Sequence, residues 1–323
     1  KTIKRDPKTV YNVVHDFCDE NGYLAQLEKS LSTSEAERFN KLTISKQGLD
    51  ILDAVHCVED KKRSIMLLSE IDRMIKPGMR VLEAGIGSGL LSFGAATKDA
   101  QVTGLEINKH ILGFTKKVQV YSAKKLGFGK EQIAFKSANA ITYDYEGKCD
   151  AIISENLYTG MFYEKQVEIM NHLVRFLKKG GVTIPSGIIS GVALTQTVFP
   201  HTPKQQELFV PLQLGKTITT KVLTESIVYS NLDFSKKNTL NINTKLVLPI
   251  EKSGTVNSLL VWSEVLLPSG GVIKRKDTIF LNNDIVIALE KPTIVEKGQK
   301  VQLHMKYTYG SKPSEASFTL KII

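Results

Sequence analysis

A chain of 323 residues, 42% hydrophobic and 24% charged, has the make-up of an ordinary globular protein and the length for two domains. No apolar run approaches the roughly 20 residues that span a bilayer, and the three cysteines and six histidines are scattered without ligand spacing, so neither a membrane partner nor a metal centre is expected. The net charge of +10 favours a solvated lysine-rich surface over nucleic-acid binding, because aromatic residues do not interleave with basic clusters.

Residues 1–60 read as an N-terminal helical segment. Val10, Val13, Val14, Phe17 and Leu24 recur at helical spacing, as do Ile51, Leu52, Val55 and Val58. Ser32-Thr33-Ser34-Glu35 offers a helix start. The segment is expected to pack as a layer over the mouth of an α/β domain. Lys1 stands where an initiator Met would, which fits a removed leading segment. Cys18, Cys57 and Cys149 read as reduced thiols of a cytoplasmic protein.

Residues 61–185 read as a Rossmann-like domain. A helix begins at Asp60-Lys61-Lys62-Arg63-Ser64, carries Ile65, Leu67, Leu68, Ile71 and Ile75, and ends at Pro77-Gly78. Arg63 is either a surface cation or a guanidinium placed to grip a carboxylate, since its helix leads directly into the first strand. That strand runs into Val81-Leu82-Glu83-Ala84-Gly85-Ile86-Gly87-Ser88-Gly89, and a helix follows from Leu90. A strand, a glycine turn and a helix form the first unit of a nucleotide-binding α/β fold, with the helix N-terminus open to a ligand. The second strand, 101–106, ends at Glu106, where a carboxylate can accept hydrogen bonds from ribose hydroxyls. Further strands are expected at 132–136, 149–154 and 182–185, and helices at 90–98, 108–126 and 162–178. The alternation implies a parallel sheet with its ligand at the carboxyl ends of the strands.

After the fourth strand the chain reads Ser154-Glu155, then a loop, then Phe162-Tyr163-Glu164. Two carboxylates bracket that loop at the edge of the sheet. Glu164 is equally well explained as a first-turn acid of the 162–178 helix, where the helix dipole favours negative charge. In that helix Val167, Met170, Leu173, Val174 and Leu177 make one apolar face, and Lys178-Lys179 with Gly180 close it. Residues 186–323 change character, with short alternating runs such as Val301, Leu303, Met305 and Tyr307 between turns at Pro268-Ser269-Gly270-Gly271 and Glu296-Lys297-Gly298. They predict a C-terminal all-β barrel or sandwich. Its strands include Leu259–Leu267, Thr278–Leu281, Ile285–Leu289 and Ser317–Ile323.

The glycine turn resembles motif I of the class I S-adenosylmethionine-dependent methyltransferases. The bracketed loop resembles the double-glutamate loop of the protein arginine methyltransferases, as do Asp60-x-x-Arg63-Ser64 and Leu177-Lys178-Lys179-Gly180-Gly181 with Pro185. The resemblance implies S-adenosylmethionine as cofactor. It implies cofactor contacts from Arg63, Glu83, Gly85, Gly87, Gly89, Glu106, Ile107, Ala138, Asn139 and Glu155. It makes Glu155 and Glu164 the catalytic pair for N-methylation of a guanidinium on a peptide, a protein or a small guanidine, and it implies a homodimer. There are departures. No Tyr-Phe-x-x-Tyr precedes Arg63, the family's Thr-His-Trp loop reads Ile273-Lys274-Arg275, and Glu-Trp-Met-Gly reads Glu155-Asn156-Leu157-Tyr158. Where an acid often meets the adenine amino group stands Ala138-Asn139, and the stretch 199–215 is short for a dimerisation arm. Two other readings remain open here: the same fold acting on a nucleic-acid base or a small amine or hydroxyl, and a non-catalytic methyltransferase-like binding protein.

Overall fold

The computed structural model describes residues 5–32, 49–199, 209–211, 219–278 and 283–323. Five parallel strands build the first sheet: β1 (Arg80–Ala84), β2 (Gln101–Glu106), β3 (Ile133–Ser137), β4 (Cys149–Ser154) and β5 (Leu177–Ile184), in the order β3-β2-β1-β4-β5. Val81, Leu82, Ile152 and Ile153 are completely buried, as befits strands covered on both faces. The register sets Ala84 beside Leu105 on one side and Ser154 on the other. Three strand ends therefore deliver Gly85, Glu106 and Glu155 to one edge of the sheet, where the strand order reverses.

The helices are α1 (Pro7–Glu20), α2 (Tyr23–Ser32), α3 (Ile51–Glu59), α4 (Lys61–Met74), α5 (Leu90–Ala96), α6 (Lys109–Leu126) and α7 (Gln166–Leu173). Asp6 caps α1 by accepting the Thr9 N–H at 2.9 Å, with Pro7 in the first turn. The apolar face of α1 packs on α6, with Phe17 edge-on to Phe114 at 6.1 Å and to Tyr121 at 5.4 Å. A reciprocal box between Asp50 and Asp53 starts α3. Ala54, Cys57 and Val58 of α3 line the crevice at the sheet edge, so this part of the N-terminal segment covers the mouth, whereas α1 lies against α6. Among the described residues, no helix is long and apolar enough to cross a membrane.

The C-terminal half is all antiparallel. Its larger sheet runs β7 (Phe209–Pro211), β13 (Ile285–Val295), β11 (Gly254–Leu266), β6 (Gly187–Val198) and β8 (Thr219–Val222), with β12 (Val272–Ile273) on β11 and β9 (Ile227–Asp233) on β6. The smaller runs β10 (Asn241–Pro249), β14 (Lys300–Thr308) and β15 (Ser317–Ile322). This half grips the first at several places. Glu70 of α4 accepts the Ser269 N–H and Oγ–H, each at 2.7 Å. The turn after β14 holds the loop after β4 through Gly310 N–H to Met161 O, 2.8 Å, and Tyr163 N–H to Ser311 O, 3.0 Å.

One element differs from the sequence reading. The expected helix 162–178 is helical only over Gln166–Leu173, and Leu177 already belongs to β5. Leu177 continues the apolar spacing by coincidence of period, but its backbone is extended at ψ 135°. Lys178 ends no helix and instead binds the Asp150 carboxylate at 2.6 Å. At the other end, Met161 and Tyr163 take left-handed φ values of 57° and 60°, which a helix cannot contain. The helix start expected at Ser32–Glu35, the strand over Thr278–Leu281 and the stretch 199–215 lie largely outside the described residues.

Candidate active site

The glycine turn follows from backbone geometry. Gly85, Gly87 and Gly89 have φ values of 73°, 51° and 82°, angles that a Cβ penalises. A Cβ at Gly85 would also overlap the Asn156 side chain, and one at Gly89 would lie 2.8 Å from Thr115 Cγ2. Gly89 caps α5 and faces inward, whereas Gly85 and Gly87 line the crevice. Glu83 is buried and accepts the Ser92 hydroxyl; burial pushes its carboxyl up to about 8. Burial also raises Glu106, while the N–H groups of Asn108, at 2.9 Å, Gly87 and Ile107 favour its charged form.

Arg63 is only 2% exposed, so it is no surface cation. Its Nη1 meets Glu155 Oε1 at 2.8 Å, its Nε lies 3.4 Å from Asp60 Oδ2, and Nη2 donates to the Cys57 carbonyl at 3.4 Å. The guanidinium stays charged between these two acids. Burial drives the Glu155 carboxyl upward and Arg63 draws it back. Asp60 in turn accepts the Thr278 hydroxyl at 2.5 Å, which ties the start of α4 to the C-terminal half.

Glu164 stands two residues before α7, just outside its cap at Lys165, rather than in its first turn. Burial pushes its carboxyl up to about 7, and the further charges acting on it, Glu155, Asp53 and Glu106, are all acids. The backbone that carries it is held from several directions. Gly160 N–H donates to Ser263 Oγ at 2.9 Å, Tyr307 O–H donates to the Gly160 carbonyl at 2.9 Å, and the Phe162 ring stacks on Tyr307 at 4.5 Å. Left-handed φ at two bulky residues costs on the order of 1–3 kcal/mol each, and these contacts maintain it.

The pieces meet in one crevice of about 860 Å³, a size suited to a cofactor and a reacting group. Of the residues singled out in the sequence, Arg63, Glu83, Gly85, Gly87 and Glu106 line it, as do Ile107, Ala138, Asn139, Glu155 and Glu164. Ile107 is 62% exposed at the rim. Among the described residues, no three His, Cys, Asp or Glu gather as metal ligands.

Sequence reasoning missed the residues that brace the crevice. Gln166 is fully buried. Its amide donates to Ser154 O at 2.7 Å, while its oxygen accepts Ser154 Oγ–H at 2.9 Å and the Asn156 N–H at 3.1 Å. Asn156 Nδ2 then donates to Ala84 O at 3.0 Å, linking the double-glutamate loop to the glycine turn. The available signal was a polar residue at 166 in the apolar stripe completed by Met170 and Leu173. Gln166→Leu should lower unfolding stability by roughly 2–4 kcal/mol, because buried Ser154 and Asn156 groups lose partners. A chemical denaturation midpoint equal to that of the parent protein would show the network to be dispensable.

A 3-2-1-4-5 parallel sheet with a glycine turn at its reversal point and an acid ending the second strand has the form of a Rossmann-like methyltransferase domain, here followed by an all-β domain. A family model described as a methyltransferase domain matches residues 75–237, about half of the chain, and the protein belongs to that family. It is a class I S-adenosylmethionine-dependent methyltransferase. It is similar to an uncharacterized protein of Methanocaldococcus jannaschii, 27% identical over 253 residues, which cover 78% of this chain and 90% of that one. It is also similar to the ribosomal protein L11 methyltransferase of Dictyoglomus thermophilum, 32% identical over 127 residues, 39% of this chain and 38% of that enzyme. Among solved structures, the Trypanosoma brucei PRMT1 enzyme-prozyme heterotetrameric complex with AdoHcy aligns with a TM-score of 0.64 at 16% identity, covering 83% of this chain and 91% of that chain. That last likeness is one of fold.

Proposed function

We propose that the protein transfers the methyl group of S-adenosylmethionine to a guanidinium nitrogen, and that Glu155 and Glu164 are the clamp that holds it. The observation that carries this reading is a pair of carboxylates bracketing one loop, both largely covered in the crevice that holds the glycine turn. A guanidinium is protonated at neutral pH and presents its N–H groups in a fork that two carboxylates can match. Held so, its positive charge is drawn toward the acids, and the lone pair of the remaining nitrogen faces the methyl sulfonium. Methyl transfer would then be a matter of alignment, the N–C bond forming as the S–C bond breaks, with S-adenosylhomocysteine leaving and the methylated nitrogen giving up one proton to solvent. The two carboxylates stabilise the cation without carrying the methyl group.

The ends of β1 and β2 would hold the cofactor. The backbone at Gly85 and Gly87 allows its close approach, with Gly89 shaping the turn beneath. Glu106 takes the ribose hydroxyls, and Ile107, Ala138 and Asn139 flank the adenine. Arg63 offers a guanidinium to the cofactor carboxylate while holding Glu155 in place, and Glu83 supports the turn from below. Incubating the protein with tritiated-methyl S-adenosylmethionine and cell lysate, and counting protein, nucleic-acid and small-molecule fractions separately, tests the acceptor class. Label confined to nucleic acid would replace this reading with a base methyltransferase.

The pH profile follows from Glu164. Only its ionised form completes the clamp, and burial pushes its carboxyl up to about 7, as it does that of Glu155. Transfer should therefore rise as pH increases through about 7, and the inflection should shift down when a cationic acceptor saturates the site. A rate independent of pH between 6 and 8 would remove Glu164 from the clamp. Stability should move the other way. Glu83, at about 8, and Glu164 hold protons in the folded chain that the unfolded chain has released. The unliganded protein should lose stability as pH rises from the ordinary carboxylate range through 7–8, which thermal melts across that range can read.

A further inference from the structure

Apart from Arg63, which is buried between Asp60 and Glu155, charge around the crevice is sorted by depth. Its acids lie within: Glu83 and Glu106 are buried, and Glu155 and Glu164 are largely covered. Its lysines, Lys109, Lys165 and Lys312, are all exposed at the lip. Lys165 and Lys312 stand on the Glu164 side, although one precedes α7 and the other follows β14. The turn between them is close-packed, since a Cβ on Gly310 would come within 3.3 Å of Lys165 Cγ and 3.4 Å of the Glu164 carbonyl.

These ammonium groups do not neutralise the floor. The charged neighbours of Glu164 are acids, and neither lysine is among them. Lys312 makes no ion pair among the described residues. Among the described residues Lys165 pairs only with the half-exposed Glu168, at 3.4 Å, a pair that water and salt weaken. An acceptor rich in Lys or Arg would meet like charge at the lip and a net charge of +10 on the protein. An acceptor with carboxylates beside its guanidinium would meet opposite charge at both depths.

We propose that the methyl acceptor is a guanidinium flanked by carboxylates, the guanidinium entering the acidic floor while the carboxylates pair with Lys165 and Lys312 at the lip. This rests on the guanidinium reading above and narrows it. The carboxylates have two sources: Asp or Glu side chains next to an arginine in a protein segment, or the carboxylate of a free guanidino acid. Successive residues of an extended segment lie roughly 3.5 Å apart, so side chains one or two positions from the arginine can reach the lip.

The test compares three peptides that carry a single arginine between Asp, Asn or Lys neighbours, together with free arginine and its amide. Initial rates of methyl transfer from labelled S-adenosylmethionine are measured at low and high salt. The Asp-flanked peptide should exceed the Asn-flanked one by about fivefold to tenfold in kcat/KM, and the Lys-flanked one by more, with the differences shrinking at high salt. If the natural source is a free guanidino acid, arginine should instead lead its amide and all three peptides. In the doubly substituted Lys165→Glu, Lys312→Glu protein the order should invert while S-adenosylmethionine affinity stays the same. Preference of the parent protein for Lys or Asn flanks, or an order unchanged by the double substitution, overturns this proposal and leaves the guanidinium reading standing. Transfer to none of the five, with the cofactor bound, overturns both.

Discussion

Glu164→Gln should bind S-adenosylmethionine normally and transfer its methyl group 10² to 10³ times more slowly. Gln keeps the size and hydrogen-bonding reach of Glu but removes one of two charges from a site where water is scarce. The loss of one electrostatic partner in such a site is worth roughly 2–4 kcal/mol of transition-state stabilisation. Among the described residues the charges acting on Glu164 are all acids, so the substitution should leave the fold intact or steady it slightly. Glu155→Gln should be as damaging to transfer but should also loosen Arg63. The double variant should be little worse than either single one, because both acids act on one group. Calorimetric titration with the cofactor, paired with single-turnover transfer, separates the two effects. A Glu164→Gln protein with undiminished turnover would return the acid to a purely structural role.

Arg63→Met should be the most damaging single change to stability. It removes the cation from between Asp60 and Glu155 and leaves two buried acids without it. Breaking a buried ion pair from one side costs about 3–5 kcal/mol. Arg63→Lys should recover part of that stability but not the cofactor affinity, since an ammonium replaces a fork with a point charge. A thermal melt of Arg63→Met within a degree of the parent protein would mean that the two acids are protonated or hydrated rather than paired.

The contrast between Arg63 and Gly85 shows what the sequence could and could not reveal. The glycine turn was legible because left-handed backbone is a local demand, visible in which residues can meet it. The parallel sheet was legible because strands and helices alternate along the chain. Glu155 and Glu164 were legible as a bracket around one loop. Whether Arg63 is buried was not, because helical spacing places it on a face without saying what covers that face. The answer lies in Glu155, 92 residues away. The backbone at Tyr163 is fixed by Ser311 in the C-terminal half, so the helix could not be denied its start at 162 from local pattern. Leu177 fitted the helical stripe and the strand equally well. The Gln166 network was hidden for the opposite reason, as a polar residue in an apolar stripe that has meaning only once Ser154 and Asn156 are beside it. Lys165 and Lys312 share a lip only because the β-domain folds back on the loop.

The atom that receives the methyl group separates a guanidinium acceptor from every other. Product analysis answers it most directly: transfer from labelled S-adenosylmethionine to a guanidine-bearing acceptor, acid hydrolysis, and chromatography with mass detection of the methylated residue. A guanidinium acceptor should carry the label on a terminal guanidino nitrogen, lost in parallel in Glu155→Gln and Glu164→Gln. Label on a lysine amine, a hydroxyl or a nucleobase, retained in the Glu164→Gln protein, would contradict it.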